Sequence, residues 1–400
     1  MVESAAIEVI LRDWDALSPQ QISELLKPLS CLNLNEDKFQ NWDRDCIFAK
    51  FSSLLSTCAC REKKILLLKL FTEAVFYPCH LEAVSKSVIV PSLLQIVIMQ
   101  RDDDPLVKQA FAILDRLAQR REQAMHFSRD VCVQTLYQLP LDRQTSYTFL
   151  HGLATFTLNL LLSSKDAVGA HFCALIQPLI QYSLQHVCAN LVTLAIKTLR
   201  VLCETQKCPE QQMERYFASI LRDLDQAPQV ACCQFIHSFF KHYNRITTKY
   251  NLETVAEKMI LNSSDDKCSA CGFEILSSLI EQGRHSQVES LMPRGIITAT
   301  VFLFIHAKSK LVKMNSLILL KRIVPTLVES SNLELFLRHG IYESLHVSLD
   351  SSIDPELVVH TLDLIDIIAK RTVNDKSLHQ FLLGLRQVDE SHPNVSFLCQ

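Results

Sequence analysis

The feature that most constrains this chain is a helix start that returns again and again. Leu106-Val107-Lys108-Gln109-Ala110-Phe111-Ala112-Ile113-Leu114 follows Asp102-Asp103-Asp104-Pro105. The same logic recurs at Leu311-Val312-Lys313-Met314-Asn315-Ser316-Leu317-Ile318-Leu319-Leu320, and a variant opens at Asp354-Pro355-Glu356-Leu357-Val358. Each reads as a helix N-terminus followed by apolar residues at helical spacing. The acidic residues suit the positive end of the helix dipole, and the Asp102-Asp103-Asp104 run reads first as a capping cluster. Proline fits the first turn, where its missing N–H is not needed.

Strongly apolar segments of this kind begin near 61, 106, 147, 189, 228, 267, 310 and 356. Between them lie amphipathic segments near 81–99, 128–139, 166–185, 210–225, 250–262, 286–306 and 332–349. Successive starts are roughly 39 to 46 residues apart, the period of HEAT and armadillo units, and they make about eight helical hairpins. Breakers fall between the segments: Pro140, Gly169, Pro209, Pro228, Gly283, Pro293 with Gly295, and Pro355. Segments such as Leu191-Val192-Thr193-Leu194-Ala195-Ile196 are apolar on more than one face, as an inner helix packed between two neighbours must be. The expected fold is an all-α solenoid of the HEAT/armadillo type with an extended C-terminal tail. A single globular helical domain with coincidental spacing is the competing reading.

Residues 1–30 predict two short helices broken at Ser18-Pro19, with Ser18 capping the second. Residues 31–45 read as a polar connector, so 1–45 form a cap on the repeats. Helices follow from about 43 to 58 and from 61 to 76. The second carries a stripe of Ile65, Leu66, Leu68, Leu70, Phe71 and Val75 and is stopped by Tyr77-Pro78. Repeats run over 46–386, ending in helices at 354–370 and about 375–386. Residues 387–400 carry Pro, Ser and Asn but no repeat pattern, and read as the tail.

Composition agrees. Only 7 of 400 residues are glycine, where sheets and phosphate loops would need many. With 48% hydrophobic and 21% charged residues, a large core can be buried. A net charge of −3 leaves no global basic excess to drive binding to nucleic acid by counterion release, so no direct nucleic-acid partner is expected. Charges interrupt the opening helix, and no long uncharged apolar run exists, so neither a signal peptide nor a membrane span is read. The 15 cysteines are spread along apolar faces and read as reduced, buried thiols of a cytoplasmic and nuclear protein.

No nucleotide-binding, nucleophile-elbow or zinc-hydrolase signature is present, so the chain is expected not to be an enzyme. Cys268-Ser269-Ala270-Cys271 has CxxC spacing but no second pair at a zinc-finger distance; packing on one helix face explains it, as it does Cys58-Ala59-Cys60 and Cys232-Cys233. His237 with His242, and His339 with His346, read as ordinary helix histidines. Arg116, Arg120, Arg121 and Arg129 make a small basic cluster, read as a solvated edge.

Cys399 stands apart, because it lies outside every expected helix, on the strand-like Val395-Ser396-Phe397-Leu398 segment. An accessible thiolate is a strong zinc ligand, and a carboxylate on Gln400 would add an oxygen donor beside it. A stray cysteine at a frayed end is the plainer alternative.

The repeat units at 104–117, 310–323 and 354–368, the segment 335–355 and the ending Phe397-Leu398-Cys399-Gln400 resemble the BRCA-associated ATM-activator (BRAT) family of HEAT-repeat proteins. The resemblance implies a partner, the metallo-β-lactamase-type RNA endonuclease subunit of the Integrator complex. It implies that the tail enters that enzyme's two-zinc site, that Cys399 coordinates its zinc in trans, and that Phe397, Leu398 and Gln400 make tail contacts. The enzyme would be held inactive and protected or delivered before assembly. No cofactor of the chain's own is implied. The alternatives are a general scaffold or adaptor, of ubiquitin-ligase-receptor or transport type, that binds a peptide or helix on its concave face, and an enzyme with an unrecognised site.

Overall fold

The computed structural model describes residues 2–30, 47–86, 88–165, 169–206, 208–222, 229–261, 265–283, 295–326, 341–342, 345, 349 and 354–371. The connector 31–45, most of 332–349, the helix expected at 375–386 and the tail with Phe397, Leu398, Cys399 and Gln400 lie outside them. The chain divides into two compact units, Met1–Pro228 and Gln229–Gln400. Among the described residues every regular element is helical.

In the first unit the chain order is α1 (Val2–Asp13), α2 (Pro19–Ser30), α3 (Ile47–Thr57), α4 (Arg61–Ala74), α5 (Pro78–Lys86), α6 (Ile89–Met99), α7 (Asp104–Ala118), α8 (Arg121–Phe127), α9 (Val131–Gln138), α10 (Tyr147–Ser163), α11 (Ala170–Leu175), α12 (Gln177–Leu184), α13 (Ala189–Thr205) and α14 (Glu210–Arg222). The second has α15 (Gln229–His242), α16 (Asn244–Thr247), α17 (Leu252–Leu261), α18 (Asp266–Glu281), α19 (Ile296–His306), α20 (Lys310–Ile323), a single 3₁₀ turn and α21 (Pro355–Arg371).

Inner helices stack on inner helices. In the first unit α4 packs on α7, α7 on α10 and α10 on α13; in the second α15 packs on α18, α18 on α20 and α20 on α21. The other helices cover them: α6 and α8 pack on α7, α12 on α13, α17 on α18 and α19 on α20. This is the all-α solenoid of the HEAT/armadillo type, and the inner helices start within two residues of the positions read from the repeats. Three faces of an inner helix therefore meet protein. On α10 the buried side includes Phe149, Leu150, Leu153, Phe156, Leu160 and Leu161. Phe111, Phe149 and Phe156 are fully buried, each contributing about 2–3 kcal/mol through apolar area removed from water. Gly152 lets α7 approach α10: a Cβ there would lie 2.2 Å from Cδ2 of Phe111.

Polar bonds spaced about one repeat apart in sequence hold the stack in register. Arg61 forms a bidentate pair with Asp103, and the Ser146 hydroxyl donates to Asp104. Lys310 reaches Asp354 at 2.6 Å and Glu356 at 3.0 Å. At the other helix ends Lys165 meets Glu204 at 3.0 Å, Lys321 meets Asp363 at 2.7 Å and Arg322 meets Glu281 at 2.5 Å. The acidic run before α7 thus differs from its reading as a capping cluster. Asp103 occupies the N-cap but makes no side-chain capping bond, because its carboxylate is turned to Arg61 on the neighbouring inner helix.

Some expectations change in detail. The segment near 81–99 is two helices, α5 and α6, and the one near 166–185 breaks at Ile176 into α11 and α12. The Arg120–Arg129 stretch folds as a separate helix, α8, whose Ala124 and Phe127 are buried. On α4 the buried stripe is Leu67, Leu68, Leu70, Phe71 and Ala74, with Ile65 and Leu66 only half-buried. Lys63 is buried there as well: its Nζ donates to the carbonyl of Trp14 at 2.6 Å and lies over the Trp14 ring. The N-terminal helices thus close over the first inner helix, with α2 packed on α4. Ser18 forms the expected cap, a reciprocal pair in which its N–H donates to Gln21 Oε1 at 2.8 Å and the Gln21 N–H donates back to its Oγ at 3.3 Å.

Candidate functional site

The four residues expected to act as a zinc ligand and its supporting contacts, Cys399, Phe397, Leu398 and Gln400, lie outside the described residues. What the structure places is the exposed side of the inner helices. In the second unit, α15, α18 and α20 form a groove of about 450 Å³ lined by His237, Lys241, Glu274, Ser278, Ile318 and Arg322, among others. It follows from helix register. His237, Glu274 and Ile318 are each the ninth residue of their helix, and Lys241, Ser278 and Arg322 the thirteenth. These positions fall on the one face that no neighbouring helix covers.

Glu274 anchors the groove floor. Its Oε2 lies 2.9 Å from His237 Nε2, and its Oε1 accepts from Asn315 Nδ2 at 2.9 Å. The same Asn315 amide also donates to the carbonyl of Ala270 at 3.4 Å. The hydrogen bond from His237 holds the Glu274 carboxyl below its ordinary pKa, outweighing the opposing effect of burial. His237 is an ordinary histidine at a helix interface, linking two successive inner helices. Arg322 is paired to Glu281, and the charge of Lys241 acts on Glu274.

Where α15 packs on α18 lies a group of thiols. Cys233 on α15 and Cys268 on α18 share a hydrogen bond, and Cys232 and Cys271 are close enough to interact with Cys233. All four are buried thiols. Burial pushes Cys232 up to about 12 and Cys233 higher still, so these thiols stay protonated and behave as small apolar groups. The packing reading of the CxxC pair therefore holds, and helix pairing, invisible in linear spacing, adds Cys232 and Cys233. No group of three or more His, Cys, Asp or Glu among the described residues is arranged to hold a metal ion. In the native protein Cys232, Cys233 and Cys268 should resist iodoacetamide while exposed Cys132 reacts readily. Peptide mass mapping before and after denaturation checks this; early alkylation of Cys233 would contradict it.

In the first unit the corresponding helix positions carry different chemistry. Its ninth-position residues include Lys69 on α4 and Lys197 on α13, and its thirteenth include Glu73 on α4, Arg116 on α7 and Asn159 on α10. Arg116 lies over the ring of Phe76, 4.7 Å from its centroid, and donates to Gln119 at 2.9 Å. Phe76 is 59% exposed. Of the arginines read as a solvated edge, Arg116 and Arg120 are half-buried at the end of α7, and Arg121 opens α8. Next to Arg116, Asp115 turns inward. Its Oδ1 is buried without a hydrogen-bond partner, and burial raises the carboxyl to about 8 against a bond from Asn159. At neutral pH this acid is uncharged.

No helix among the described residues is long and apolar enough to cross a membrane. No protein-family model matches the sequence, and no curated protein matches it. Among solved structures, the crystal structure of an engineered protein from the Northeast Structural Genomics Consortium is similar, with a TM-score of 0.66 and 13% identity over 98% of this chain and 96% of that one. At that identity the likeness is one of fold, and what is established for this chain is an all-α helical-repeat architecture.

Proposed function

We propose that this chain is a non-catalytic α-solenoid that holds a protein partner on the exposed side of its inner helices. The observation that carries the reading is the groove across α15, α18 and α20, a concave surface built by three successive repeats and lined by mixed polar and apolar side chains. A solenoid offers a long surface with few convergent reactive groups, which suits recognition better than a reaction.

Within that reading, the partner is a metallo-β-lactamase-type nuclease of the kind the family resemblance implies, the Integrator endonuclease. The Phe397-Leu398-Cys399-Gln400 segment is the part that enters its zinc site. Thiolate coordination by Cys399 would take the position of the metal-bound water, the nucleophile such hydrolases need, and hold the enzyme inactive. Support for this finer statement is the sequence of the segment and its attachment to a helical-repeat body. A general adaptor that binds a peptide or helix in the groove is the second reading, favoured by the groove itself.

Affinity purification of the full chain from cells, with mass spectrometry and zinc analysis, should recover the nuclease. Cys399→Ser should weaken inhibition of RNA cleavage by about tenfold or more, equivalent to ~1.4 kcal/mol or more. A Cys399→Ser protein that inhibits fully removes the insertion proposal. Recovery of a partner that depends on groove residues and not on Cys399 selects the adaptor.

A further inference from the structure

We propose that the groove across α15, α18 and α20 takes a short uncharged segment of a partner polypeptide, Ser, Asn or Gln beside Leu or Ala, and rejects acidic and basic segments. This rests on the reading that the groove holds a partner, and it names the chemistry that the groove selects.

The charges lining the groove are engaged with one another. Glu274 lies 2.9 Å from His237 and accepts from Asn315 at 2.9 Å. The charge of Lys241 acts on the same carboxylate. Glu281 pairs with Arg322 at 2.5 Å. Both contacts of Glu274 and the one of Glu281 run between successive inner helices, so they belong to the packed wall of the groove. An acidic occupant would compete with Glu281 for Arg322 or with Glu274 for Lys241. A basic occupant would compete with those cations for the same carboxylates. Either gains one ion pair only by giving up another, while its own charge is taken out of water. Nucleic acid fares no better, because Glu274 and Glu281 face any phosphate brought to Lys241 and Arg322.

The other groups of the groove are uncharged. Ser278 is a short side chain on the middle helix, flanked at the equivalent positions by Lys241 on α15 and Arg322 on α20. Gln282 is exposed and Ile318 half-buried. A hydroxyl and an amide each donate and accept, which suits main-chain groups and the side chains of Ser, Asn and Gln. Ile318 offers the apolar contact for Leu or Ala. A volume of about 450 Å³ takes a short segment and not a folded domain.

The test selects peptides from a phage-displayed library of random dodecapeptides, with the full chain as target, and measures the winners as synthetic peptides by isothermal titration. Peptides bound in the groove are those lost on Ser278→Trp and on Gln282→Trp, and unchanged far-UV circular dichroism checks that both variants keep the fold. Such peptides should carry an uncharged centre and bind alike at low and high salt. Changing one central residue to Glu or to Lys should weaken binding by about tenfold or more. Arg322→Gln removes the partner of Glu281, so the Lys-substituted peptide should then recover while the Glu-substituted one does not. The inference is overturned if groove-bound peptides are rich in acidic or basic residues, if their binding falls steeply with salt, or if oligouridine displaces them. The groove then remains a docking site of other chemistry. If no selected peptide depends on Ser278 or Gln282, the groove reading falls together with the inference.

Discussion

Gly152→Ala should destabilise the protein, although alanine is the better helix former. In an exposed helix the change would gain about 1 kcal/mol. Here the new methyl would stand 2.2 Å from Cδ2 and 2.5 Å from Cγ of Phe111. Cγ is the root of the ring, and the ring cannot swing clear, because it is fully buried and packed edge-on against Phe149 at 5.9 Å between centroids. Overpacking of this kind costs about 1–3 kcal/mol, and Gly152→Val should cost more. Urea denaturation followed by circular dichroism measures it. Phe111→Leu costs stability alone but should restore much of it in the Gly152→Ala background, since the two residues share one space. An unchanged midpoint for Gly152→Ala would mean that α7 and α10 do not approach as described.

Asp115→Asn should raise stability, most of all in mild alkali. The native carboxyl titrates at about 8, against 3.8 for its ordinary value, because burial disfavours the anion. Between those values the folded state binds more protons than the unfolded one. Stability therefore falls as pH rises from about 4 to about 8 and is level above that. At ~1.4 kcal/mol per pKa unit the full penalty would approach ~6 kcal/mol, and residual hydration reduces it to about 2–4 kcal/mol. Asparagine cannot ionise and still offers an oxygen to Asn159. The variant should melt close to wild type near pH 4.5 and several degrees above it at pH 8.5. Parallel melting curves for both proteins across this range would show that Asp115 does not carry the buried proton.

The inner helices were legible because three of their sides are buried. A helix enclosed on three sides must be apolar almost all round, and Asp or Pro at its start marks where it begins, as at Asp104-Pro105 and Asp354-Pro355. The outer helices were less legible, since one buried stripe tolerates a break. Pro178, in the first turn of α12, is the local signal for the interruption at Ile176, whereas α13 ends on Gln206 in the left-handed region, at φ 54°, where glycine would have been the signal. The groove was invisible in one dimension. His237, Glu274 and Asn315 are about 40 residues apart and mean nothing until helices pair. The same pairing brings Cys233 to Cys268. The Cys399 reading belongs to linear sequence alone, as a thiol off the repeats.

The cross-repeat bonds carry a lesson about which length changes the chain can absorb. Arg61 to Asp103, Ser146 to Asp104 and Lys310 to Asp354 join the starts of successive inner helices. Residues gained or lost in the loops between helices leave those starts aligned, and the tethers close as before. One residue inserted inside α7 would rotate everything after it by about 100° around the helix axis. Arg116 would take the fully buried place of Leu117, so drift in such a lineage must gather between the helices and spare their interiors.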